Sequence, residues 1–86
     1  MTRYKLEISH TAEKQLKKLP PPDQRRVTKA ILDLADTPFP RGSRKLSGYE
    51  DVFRIRIGRY RILYSVLEKK LVIIVLKIGH RKDVYR

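Results

Sequence analysis

Arg54 and Arg56 alternate with Phe53, Ile55 and Ile57, so an extended backbone sends the two guanidinium groups to one face and the three apolar side chains to the other. Gly58-Arg59 offers a tight turn, after which Arg61 on the returning strand falls beside them. Further along, Gly79-His80-Arg81-Lys82 brings an imidazole and two more cations to the end of an apolar segment, near the same sheet edge if the strands pair regularly, and Tyr85 adds a ring and a hydroxyl. Guanidinium groups grip phosphate oxygens bidentately and stabilise charge spread over them, and an aromatic ring stacks on an unpaired base. An imidazole exchanges protons near neutrality. Together these groups would equip a phosphodiester site acting on RNA. A merely solvated strand face would show the same alternation. Ordinary surfaces intersperse the two signs, however, and like charges side by side repel, so three clustered arginines cost stability unless an anion sits among them.

The overall charge agrees with that reading. The chain has 86 residues, 21 Lys plus Arg and 9 Asp plus Glu, a formal net charge of +12. Residues 1–38 hold 8 basic and 5 acidic side chains, +3, and residues 39–86 hold 13 and 4, +9. The excess therefore lies in the half that carries the arginines. Such a field attracts polyanions through counterion release, and without a basic amphipathic anchor nucleic acid is favoured over an anionic membrane. An acidic protein is a compatible further partner.

The elements that must position these groups follow from periodicity. The length predicts one domain spanning residues 1–86. Tyr4–Ile8 alternates as a short strand; Ser9 is a candidate helix cap, and Ala12, Leu16 and Leu19 space a helix over His10–Leu19. Pro20-Pro21-Pro22 breaks it, and the last proline opens a second helix whose stripe is Val27, Ile31 and Leu34, closed by Pro38-Phe39-Pro40. Arg41–Gly48 reads as a basic loop; Val52–Ile57, Tyr60–Val66 and Leu71–Ile78 read as an antiparallel meander with the last strand interior. The order β-α-α-β-β-β predicts an α+β fold, a helical hairpin on one face of a small, mainly antiparallel sheet.

Other chemistries find little support. The absence of Cys removes thiolate metal sites, thiol nucleophiles and disulfides, and makes the cytoplasm the expected location. The longest apolar run, Leu71–Leu76, is far too short to cross a bilayer, so no membrane is expected as partner. His10 and His80 lack ligand-spaced neighbours and the carboxylates are scattered, so neither a metal site nor a small-molecule cofactor is expected. No phosphate-cradling Gly-rich loop or Ser/His/Asp spacing appears.

Phe53-Arg54-Ile55-Arg56-Ile57, Arg59-Tyr60-Arg61-Ile62-Leu63-Tyr64 and Ile78-Gly79-His80-Arg81-Lys82-Asp83-Val84-Tyr85 resemble, in order and spacing, the RelE group of the RelE/ParE toxin superfamily. Ala12–Pro20 and Lys45-Leu46-Ser47-Gly48 extend the likeness over nearly the whole chain. The resemblance implies the toxin of a type II toxin–antitoxin pair: a metal-independent endoribonuclease that cuts messenger RNA in the ribosomal A site and is restrained by a cognate RelB-like antitoxin. It implies catalytic roles for Arg54 and Arg56 as the basic strand pair, Arg61 as the transition-state arginine, Arg81, and Tyr85. In the best-known members the strand pair is lysine. A guanidinium is effectively never deprotonated, so Arg54 and Arg56 are expected to polarise phosphate, and the proton carrier is sought in His80 or Tyr85. Arg44, Lys45 and Lys82 are expected to hold RNA alongside them. Arg86 directly follows Tyr85, so no extra C-terminal helix is expected, and the antitoxin would act by occlusion or charge neutralisation. Two alternatives share the fold and the charge: a ParE-like inhibitor of DNA gyrase without nuclease activity, and a non-catalytic RNA-binding module.

Overall fold

A computed structural model describes residues 3–80. Strand β1 (Lys5–Ile8) leads into helices α1 (His10–Lys17) and α2 (Pro21–Asp33), followed by β2 (Arg44–Lys45), β3 (Val52–Ile57), β4 (Tyr60–Leu67) and β5 (Val72–His80). The five strands form one sheet in the order β1-β5-β4-β3-β2. Only the β1–β5 pairing is parallel; the others are antiparallel. Val27 and Ile31 of α2, Leu34 just beyond it, and Ala12 of α1 close over Ile55, Ile62, Tyr64, Val66, Ile73, Val75 and Ile78. The α+β arrangement read from periodicity is thus the observed one. No helix among the described residues is long and apolar enough to cross a membrane.

Three details depart from the expectation. Arg44–Lys45 forms a two-residue fifth strand where a loop was expected, a run too short to show a period. The helix bounds differ slightly: α1 begins at His10 as expected but ends at Lys17, and α2 opens one residue early at Pro21, whose missing N–H falls where a helix has no internal acceptor anyway. The third is a bulge. Leu63 pairs with Lys77 but Tyr64 pairs with Val75, so Leu76 is an extra residue in β5. Because side chains alternate, one inserted residue exchanges the faces of everything beyond it.

The bulged end of β5 outruns β1, and side chains of the helical segment complete its hydrogen bonds. Ser9 Oγ accepts from the Ala12 N–H at 3.0 Å, capping α1, and donates to the Leu76 carbonyl at 2.8 Å. Gln15 Oε1 accepts from the Ile78 N–H at 2.7 Å. Ser9 therefore does more than the cap its sequence position suggested. Ser9→Ala is expected to cost about 1–2 kcal/mol, the upper range for a lost cap, measured by urea unfolding.

Candidate nucleic-acid interface

The register of β2, β3 and β4 builds the site. Arg44 stands opposite Arg54, and Arg56 opposite Arg61. Directly opposed residues point to the same face, as do residues two apart on one strand. The two cross-strand pairs thus share the sheet face away from the helices, since the intervening Ile55 and its partner Ile62 are in the core. Gly79, opposite Arg61 on β5, contributes no side chain there. Lys77, opposite Leu63, joins this face.

Depth grades across the cluster. Arg61 is buried, at 6% exposure; Arg54 is half-buried, and Arg41, Arg44 and Arg56 are exposed. Arg41, Gly42, Arg44, Arg54, Ile55 and Arg56 line a groove of about 360 Å³. The Arg54 guanidinium is held below its ordinary pKa, first by burial and then by Arg56 and Arg44. It remains charged at neutral pH, and its shift registers first its burial and then the positive charge beside it. Two ion pairs between described residues join Arg3 to Asp36 and Lys29 to Asp33, on other parts of the molecule. Such a concave guanidinium surface attracts phosphates more strongly than the same charges spread over a flat face.

The structure brings Arg44, Arg54, Arg56 and Arg61 together but separates two other expected residues from them. Lys45 pairs with Phe53, a residue packed against the core, and so lies on the opposite face from Arg44. It lines a separate groove of about 480 Å³ with Glu50, Asp51 and Glu68, where carboxylates offset its charge. His80 pairs with Tyr60, on the helix side of the sheet, with ring centroids 6.1 Å apart. Regular pairing would have turned it toward the arginines; the Leu76 bulge turns it away. Arg81, Lys82 and Tyr85 lie outside the described residues. Arg41 and Lys77 were missed in the sequence. Arg41 is one more cation in a basic loop, and simple alternation from Val75 assigns Lys77 to the core face.

The loop that carries Arg41 is tied to the sheet. The Tyr64 hydroxyl donates to the Pro38 carbonyl at 2.9 Å, and Phe39 meets Phe53 edge-on with centroids 4.9 Å apart. On the far side of the β3–β4 turn, the Tyr60 hydroxyl donates to Asp23 Oδ2 at 2.9 Å, anchoring the start of β4 to α2. The arginines therefore stand on strands whose ends are fixed by side-chain hydrogen bonds, which limits the reorganisation needed when an anion binds.

The model of the ParE toxin of the type II toxin–antitoxin system parDE matches residues 6–85. This chain belongs to the RelE/ParE toxin family. Within the family it is RelE-like. It is 34% identical to toxin RelG of Mycobacterium tuberculosis over 91 residues, covering 96% of this chain and 97% of that protein. It is 27% identical to the mRNA interferase toxin RelE of Escherichia coli K12, covering 92% and 84%. Its fold superposes on the toxin in the archaeal RelE–RelB complex of Pyrococcus horikoshii with a TM-score of 0.83 at 36% identity, covering 96% of this chain and 99% of that one.

Proposed function

We propose that this RelE-like toxin is an endoribonuclease that cuts messenger RNA in the ribosomal A site and so stops translation. The observation that carries the reading is the pair of cross-strand arginine couples, Arg44 with Arg54 and Arg56 with Arg61, on one sheet face. The name of the E. coli relative, an mRNA interferase, supports it. The attacking group is the RNA 2′-hydroxyl. Its oxygen forms a bond to the adjacent phosphorus as the bond from phosphorus to the 5′-oxygen breaks, leaving a 2′,3′-cyclic phosphate and a 5′-hydroxyl. One proton leaves the attacking hydroxyl and one reaches the departing 5′-oxygen. Arg61, with Arg56 beside it and Arg81 contributed by the chain terminus, stabilises charge on the non-bridging oxygens; its burial raises the value of its charge by excluding water. Proton transfer falls to Tyr85 or His80, and the packing of His80 against Tyr60 on the other face favours Tyr85.

A chain of 86 residues offers a shallow groove and little surface for orienting RNA, so the ribosome supplies the alignment. A RelB-like antitoxin is the proposed partner, as in the solved complexes of the relatives, and an acidic segment laid over the arginine face would block it.

Product analysis tests the chemistry. RNA ends recovered from a translation reaction are expected to carry 2′,3′-cyclic phosphate on one side of the cut and a 5′-hydroxyl on the other. Products bearing a 5′-phosphate would sink it. His80→Gln is expected to leave single-turnover cleavage within about threefold of the parent; a loss of about 10² or more, the range for a general acid–base group, would return His80 to the chemistry. The matching family model is that of the ParE toxin, and the second reading is a ParE-like inhibition of DNA gyrase without cleavage. A supercoiling assay separates the two.

A further inference from the structure

The arginines of the groove outnumber what one phosphodiester needs. Each phosphodiester carries a single negative charge, yet the sheet presents two arginine couples, one on β2–β3 and one on β3–β4. Arg54 and Arg56, which head the two couples, are two residues apart on one strand, a separation of about 6.7 Å that one nucleotide's backbone can span. The groove itself is lined by the β2–β3 couple, by Arg56 and by Arg41, while Arg61 sits beyond it, opposite Arg56. Arg41, Arg44 and Arg56 lie exposed with no carboxylate paired to them among the described residues.

We infer that the face seats two consecutive phosphates of one RNA strand: the reacting phosphate between Arg56 and Arg61, and its neighbour in the groove between Arg44 and Arg54, with Arg41 closing the rim. This deepens the nuclease reading, on which it rests for the strand's identity, and it assigns Arg41 a role in binding. Gly42 fits the arrangement. Its φ of +92° turns the chain between Arg41 and Arg44, and a Cβ there would meet nothing within 4 Å, so the loop edge is open to an incoming strand. Lys45, on the other face, takes no part.

The test uses the full-length toxin without ribosomes, so that it does not depend on cleavage. The probe is a labelled single-stranded octaribonucleotide, with affinity followed by anisotropy over a range of salt. The double variant Arg41→Gln, Arg44→Gln is expected to bind about three- to tenfold more weakly in low salt and to lower the salt slope by about 0.7, the value for one phosphate contact on a single strand. Arg25→Gln, an exposed residue on α2, removes a charge remote from the face and is expected to leave the slope unchanged. A trinucleoside diphosphate and its analogue with one neutral methylphosphonate linkage supply the second measurement. Neutralising the outer linkage is expected to weaken binding to the parent toxin but not to the double variant, since the two changes remove the same contact. Equal slopes for the double variant and Arg25→Gln, or equal losses with the neutral linkage in parent and variant, would overturn the two-phosphate seat. Intact messenger RNA in a translation reaction beside a reduced slope would instead remove the nuclease reading and leave the seat standing.

Discussion

Arg61→Met is expected to lower single-turnover cleavage by about 10²- to 10³-fold, the cost of removing one preorganised donor from a developing oxyanion. Arg61 is a guanidinium at 6% exposure directly across from Arg56. Its burial excludes water from around the charge and so raises what that charge is worth to a nearby anion. Methionine keeps an unbranched chain at the position and removes the guanidinium. A thermal melt read beside the cleavage rate separates a residue held for chemistry from one held for packing. A variant that cleaves normally, or one that loses activity only because it unfolds, would contradict the role given to Arg61.

Tyr64→Ala is expected to destabilise the fold by about 3–5 kcal/mol, as for other buried aromatic deletions, measured by urea denaturation. Tyr64 is fully buried, stacks on Phe53 with centroids 6.0 Å apart, and its hydroxyl reaches the Pro38 carbonyl. Losing it opens the core and releases the segment that leads to Arg41. Tyr64→Phe isolates the hydroxyl, at about 1 kcal/mol. The same group sets a pH limb. Burial pushes the Tyr64 hydroxyl above its ordinary pKa, with a hydrogen bond to Ser43 acting the other way. A group whose pKa is raised by folding contributes stability that is fully present below its unfolded value, about 10, and lost as pH rises through the folded value. The parent's stability is therefore expected to fall above about pH 10 more steeply than that of Tyr64→Phe; identical pH curves would show that Tyr64 does not contribute.

These expectations rest on a face whose outline was legible in the residues themselves. Arg54 and Arg56 alternate with core residues over six positions, a signal strong enough to assign their face, and the Gly58 turn fixes where Arg61 returns. Ser9 announced its cap and Val27, Ile31 and Leu34 their stripe. What escaped was parity where the pattern is short or interrupted. Two residues of β2 have no period, so Arg44 and Lys45 looked alike although one faces the groove and the other does not. A single extra residue, Leu76, reversed His80 and Lys77 with no mark in the sequence, because Leu71–Leu76 is apolar at every position and fits either face. The bulge persists because Ser9 and Gln15 complete the hydrogen bonds of the strand around it, contacts 67 and 63 residues apart in the chain. Such long-range compensation leaves no local sequence signature.

The central claim, that this toxin cuts messenger RNA on the ribosome, is tested most directly by primer extension on a defined message in a reconstituted translation reaction. The parent protein and Arg61→Met would each be added with and without ribosomes. Cuts confined to A-site codons, present with ribosomes and the parent protein and lost in the variant, are the expected result. Intact message in every lane, or equal cutting by the variant, would contradict it.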